Sequence, residues 1–382
     1  MMKIFILILL VISQNTFACI WDKDTYAMEK QKFPTTFELI TGNFDRHSKD
    51  YYKWRILKLQ PIIDANSKDE NIYDDLATAY SKLNQDKKAI EIMLLKDKFS
   101  QKKYETYANL GTFYIHDGQF EKGLIYINKA IKINPNAHFG REIYQKYLVE
   151  YILEQRKNKN YSLNFHDFLL KNYKITKKNN EIRNLPEIEI KKAVKGVLGM
   201  MRFGNYDSPI LLKALGDLLL NDEYETEIST KRLAVMAYTN AEMKSSKELS
   251  ISFINQMNMI LSLHETEMNT FDSVLNELKN GLKNGAIYWN QIKLDELNWI
   301  KNNEDVDLKF NEKYYNKFNE VNIEQEKISK HQQSNQIITK NNQEQINKTQ
   351  KFDLFTFKNI LYFVLAFAFG FLGLYLYKKN KL

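Results

Sequence analysis

Cysteine is almost missing from this 382-residue chain: Cys19 stands alone, which excludes an intrachain disulfide and a thiolate metal cluster. Proline (5) and glycine (13) are scarce beside 23 Tyr and 23 Phe, which argues against a turn-rich sheet protein and for long helices with aromatic packing. No Gly-rich phosphate loop, Gly-x-Ser-x-Gly elbow or EF-hand loop occurs. The six histidines, at 47, 116, 138, 166, 264 and 331, include no pair at the i,i+4 spacing of a helical zinc site. Catalytic residues, cofactors and metal sites therefore have no candidates, and the chain reads as a non-enzyme.

A strong excess of positive charge is also lacking once the charge is located. The formal +8 includes Lys3, Lys358, Lys378, Lys379 and Lys381, which flank two hydrophobic ends; without these five the balance for residues 19–357 is +3. That is too near neutral to argue for nucleic-acid binding. Hydrophobic residues, at 44%, suffice for a sizeable core.

What is present at the two ends points to export and anchoring. Lys3, the apolar run 4–12 and the stretch 13–18 have the three-part form of a secretory signal over residues 1–18, cleaved after Ala18. Cys19 then heads the mature chain and is a candidate for lipidation, although Thr16 departs from the lipoprotein pattern. Ile360 to Tyr377 carries no charge; eighteen helical residues at about 1.5 Å each match the hydrocarbon thickness, which predicts a transmembrane helix over 359–377. Lys378, Lys379 and Lys381 place the short tail 378–382 in the cytoplasm, so the bulk of the chain is expected extracytoplasmic, or periplasmic in a Gram-negative bacterium. Ala366 and Gly370 at i,i+4 give a weak homodimer signal.

Between the ends a shape recurs with a period of 34. Tyr73, Leu76, Ala77 and Tyr80 align with Tyr107, Leu110, Gly111 and Tyr114; later Ala89 aligns with Gly123, Met93 with Ile127 and Lys96 with Ala130, and the second unit closes at Pro135. This pattern resembles the tetratricopeptide repeat family, and the first unit departs from it at Lys96 and Gln101. The resemblance implies helix hairpins over 70–137 that hide their apolar faces by stacking and leave a concave groove lined mainly by the first helix of each unit. Tyr73, Asn109, Phe113, Tyr114 and His116 are the groove candidates by that analogy.

The flanks divide as follows. Residues 19–69 read as an N-terminal arm with capping helices, 138–158 as a downstream cap, and 159–205, polar and weakly periodic, as a linker or insertion. A second helical block is expected over 206–302, opened by Ser208-Pro209, with a degenerate repeat pair as one reading of it and non-repeat helices as the other. Three short helical stretches fill 250–300, and a Gln-, Asn- and Lys-rich stalk occupies 303–352. Cys19-Ile20-Trp21-Asp22-Lys23-Asp24-Thr25, Phe33-Pro34, Arg46-His47-Ser48 and Tyr51-Tyr52 also resemble the start of a group of bacterial exported repeat proteins. That likeness brings no activity with it.

Asp22, Asp24, Arg46 and His47 carry the most chemical content. Capping turns and ion pairs that pin the arm to the solenoid are the favoured account, ahead of a metal or substrate site. The overall expectation is an all-α, repeat-like scaffold displayed on a membrane and binding a protein or peptide, with no nucleic acid. The alternatives are an exported enzyme or small-ligand binder near the arm, and an envelope spacer.

Overall fold

The computed structural model describes residues 20–158, 163–221, 228–245 and 271–315, and the regular elements among them are helical. The chain opens with α1 (Lys23–Glu29), α2 (Thr36–Thr41) and α3 (Lys49–Asp64). Each start is capped by a short polar side chain: Asp22 accepts from the Thr25 amide, Thr35 and Glu38 form a reciprocal capping box, and Ser48 accepts from the Tyr51 amide.

Two helix hairpins follow, α4 (Glu70–Lys82) with α5 (Asp86–Phe99), and α6 (Tyr104–His116) with α7 (Phe120–Ile133). The second pair crosses so closely that a Cβ on Gly111 would lie 2.6 Å from Ile127 Cδ1 and 2.9 Å from the Ile127 backbone nitrogen. In the first pair, Ala77 and Ala89 are wholly buried at the matching positions. Lys96 breaks the repeat pattern because it answers a second polar residue: its ammonium is buried 2.7 Å from Asp74 Oδ2 on α4.

The body continues through α8 (Arg141–Asn158), α9 (Phe165–Lys177), α10 (Glu187–Met200), a π turn over Met201–Asn205, α11 (Pro209–Leu220) and α12 (Ile228–Met243). Residues 159–205, expected as a linker or insertion, instead supply Phe165, Phe168, Leu169, Ile190, Ala193 and Val197 to the main core. Their Lys- and Asn-rich outer faces dilute the apolar periodicity. Ser208 caps α11 by accepting from the Leu211 amide, with Pro209 in the first turn.

From 271 to 301 a single helix, α13 (Phe271–Lys301), replaces the shorter stretches expected there. Gly281 and Gly285 lie inside the helix and receive α2: a Cβ at Gly285 would collide with the Thr41 carbonyl oxygen, and one at Gly281 would meet the Phe37 ring at 2.7 Å. Residues 305–315, expected within the stalk, form α14 (Val306–Phe310) and a second π turn, Asn311–Tyr315. Phe310 and Tyr315 are buried there with Tyr51, Tyr52 and Trp299.

The membrane-anchored description requires correction. Among the described residues no helix is long and apolar enough to cross a membrane. The longest, α13, carries charges along its length, from Asp272 through Lys283 to Glu296 and Lys301. The signal at 1–18, Cys19, the span at 359–377 with its Ala366–Gly370 pair, and the basic tail all lie outside the described residues. The single-pass topology, the extracytoplasmic display and the membrane as a partner consequently form no part of the functional reading, which rests on the helical body alone.

Candidate functional site

The first helix of the second hairpin is α6, and Asn109 sits near its centre, fully buried. Its amide grips the chain's own arm. The Trp21 backbone N–H donates to Asn109 Oδ1 at 2.7 Å, and Asn109 Nδ2 donates to the Trp21 carbonyl at 2.9 Å. A further Nδ2 bond reaches Asp74 Oδ1 at 3.2 Å, so one side chain ties α6, α4 and the arm together. Two residues on, the Lys23 amide donates to Asp75 Oδ1 at 2.9 Å. Residues 21–23 thus lie against α4 and α6, held largely through backbone groups.

Charge fixes the same segment from below. Arg55 of α3, 1% exposed, places Nη1 3.0 Å from Asp22 Oδ2 and 2.7 Å from Asp24 Oδ2, with Nη2 3.6 Å from Asp75 Oδ2. Burial acts to lower the Arg55 pKa, but the surrounding carboxylates outweigh it and hold the guanidinium's pKa well above its ordinary value. Burial also raises Asp74 to about 7 and Asp75 to about 6, against the opposing pull of Lys96 and Asn109 on the first and of Arg55 on the second. On the outer side Lys23 Nζ lies 2.6 Å from Asp307 Oδ2, and the Tyr51 hydroxyl donates to Asp307 Oδ1 at 2.7 Å. Helix α14 therefore closes over the arm.

The groove candidates separate accordingly. Asn109 contacts a peptide-like segment, but the segment is intramolecular. Phe113 is wholly buried in the core; Tyr73 is buried with its hydroxyl donating to the Ser67 carbonyl at 3.0 Å; Tyr114 is buried and stacks on Tyr126 at 5.4 Å. His116 is half-buried beside Ser81 and Asp86, on the wall of a small cavity of about 190 Å³.

Of the cluster Asp22, Asp24, Arg46 and His47, three residues come together and Arg46 does not: the two aspartates share Arg55, and His47 Nε2 lies 3.7 Å from Asp24 Oδ2. His47 stacks on Tyr51 at 3.7 Å and bonds through Nδ1 to the buried Glu296 of α13 at 2.6 Å, while Glu296 Oε2 accepts from the Ser48 amide at 2.9 Å. Arg46 turns the other way, toward Tyr206. No group of three metal-ligating side chains forms among the described residues. Arg55 and Asp75, central to the arm's seat, escape a search for catalytic patterns.

A second cleft, of about 320 Å³, opens between α8, α9 and α10. Ile143, Tyr147 and Tyr173 are half-buried in it, Leu169 and Leu185 form its floor, and Lys177 and Lys192 lie on its rim. It belongs to the region past the repeat hairpins and has no counterpart among the groove candidates.

A family model for the tetratricopeptide repeat matches residues 104–137, the whole of the α6–α7 unit. No curated protein matches the chain. Repeats of this kind are typically non-catalytic scaffolds, which is consistent with a non-enzymatic chain.

Proposed function

We propose that the chain is a protein–protein interaction module built on tetratricopeptide-type helix pairs, whose groove holds the chain's own arm and whose partner meets the α8–α9–α10 cleft. The observation that carries this reading is the two-way grip of Asn109 on the Trp21 backbone, a mode of holding extended chain that does not depend on side-chain identity. The arm is tied down by buried ion pairs, so a separate partner has no ready access to that face. The cleft offers aromatic and aliphatic walls, with Lys177 and the ion pair of Lys192 with Glu189 at the rim, a combination suited to an apolar anchor on a partner protein.

The test is site-specific photo-crosslinking of the full chain in its native cells, with the reactive residue at Tyr147 or Tyr173 and a control at Leu57, which is 77% exposed on α3. A discrete protein adduct from the two cleft positions and none from Leu57 supports the proposal. No adduct at the cleft, or equal capture at all three positions, sinks it.

A further inference from the structure

A cavity of about 360 Å³ lies between the 44–49 segment, the end of α4, the π turn at 201–205 and α13, with Arg46, Lys49, Lys82 and Arg202 on its walls. None of these four cations is within 4.0 Å of a carboxylate among the described residues. Arg46 donates to the carbonyls of Gly42 and Phe44 and to the Tyr206 hydroxyl. Lys82 donates to the carbonyls of Phe203 and Gly204, at 2.7 and 3.0 Å. Arg202, 7% exposed, donates through Nη2 to the carbonyls of Met28 and Lys32, and its buried Nε has no acceptor. Carbonyl dipoles orient these groups without neutralising them, and a buried donor left unmatched is costly.

The carboxylates in the neighbourhood are engaged elsewhere. Asp207 lines the cavity but lies 2.5 Å from Lys244 Nζ. Asp45 accepts from the Tyr288 hydroxyl at 2.5 Å, Glu29 faces Arg141 at 4.0 Å, and Glu296 is bonded to His47 and the Ser48 amide. Asp22 and Asp24 are paired with Arg55. The walls also carry flat aromatic surface: the Arg46 guanidinium is 4.4 Å from the Tyr206 ring and 5.6 Å from that of Trp289. The volume falls in the range of roughly 300–1,000 Å³ typical of small-molecule sites, well beyond the needs of a bare inorganic ion.

We infer that this cavity binds a small organic anion, a phosphate- or carboxylate-bearing molecule whose oxyanion meets Arg202 and Lys82 and whose flat apolar part lies against Tyr206 and Trp289. An oxyanion there supplies the direct anionic partner that none of the four cations has within 4.0 Å among the described residues. The inference is independent of the protein-interaction reading, because the cavity and the α8–α9–α10 cleft share no residue.

The experiment is calorimetric titration of the full chain with phenyl phosphate, benzoate and phenol at low salt. At least one of the two anions is expected to bind at least about tenfold more tightly than phenol, and the tighter of the two identifies the headgroup. Arg202→Gln is expected to weaken that anion by at least about tenfold. Lys49→Gln, at an exposed position where folding is not at stake, is expected to weaken it about threefold. Absence of binding by both anions up to about 5 mM, equal binding of phenol, or unchanged affinity in a folded Arg202→Gln and in Lys49→Gln would each overturn the assignment.

Discussion

Asn109 and Trp21, 88 positions apart, share a pair of hydrogen bonds in which one side-chain amide satisfies both backbone groups of one residue. Truncating that amide removes both bonds to the Trp21 backbone and the one to Asp74 Oδ1. Asn109→Ala is expected to lower stability by about 2–3 kcal/mol. In hydrogen exchange the Trp21 amide should lose protection while the α6 amides keep theirs. Retained protection at Trp21 would show that the arm stays seated without the clamp.

Arg55 compensates three carboxylates at once, those of Asp22, Asp24 and Asp75. Arg55→Met preserves much of the side-chain volume and removes the charge, leaving a buried acidic cluster. The expected loss is about 3–5 kcal/mol, read from the urea midpoint. A change under about 1 kcal/mol would mean that solvent already screens the cluster.

Stability should fall as pH rises through the neutral range. Asp74 and Asp75, raised mainly by burial to about 7 and about 6, bind protons in the folded chain at pH values where the unfolded chain has released them. The stability they contribute is present at low pH and is lost as pH climbs through their folded values. Asp307 has the opposite sign: Lys23 and Arg55 draw it down despite its burial, so its contribution disappears below the ordinary carboxylate range. Thermal unfolding is expected at a higher Tm near about pH 5 than near about pH 7.5, and Asp74→Asn should flatten the upper part of that profile. A Tm that climbs across the same interval contradicts the assignment.

Gly285→Ala tests the long helix against the arm. The added methyl meets the Thr41 backbone rather than a yielding side chain. Although alanine favours an isolated helix, the expected result here is a loss of about 1–3 kcal/mol, with reduced exchange protection over 36–42. Stabilisation instead would show that α2 moves away without penalty.

The repeat hairpins are legible in the sequence because small and large residues recur at a fixed spacing, and the family match falls on the unit where that spacing is complete. The break at Lys96 is intelligible only with Asp74 beside it. Helices α9 and α10 are hidden because Lys and Asn dilute their apolar faces, and α13 because glycine serves helix breaking and helix crossing alike. The site is less legible still. A groove position can be assigned to a helix face from its register, but backbone contacts to Trp21 leave no trace in residue type. The cationic cavity draws on Arg46, Lys82, Arg202 and Trp289, which no local pattern connects.

The bond between Lys23 and Asp307 spans 284 positions. During synthesis the arm leaves the ribosome among the first described residues, yet the helix that closes over it is made hundreds of residues later. Until then its polar backbone and the acidic cluster around Arg55 have only part of their final company. Folding of the hairpins can run ahead on local contacts, but the seating of the arm must wait for a long-range closure, the slow class of folding step.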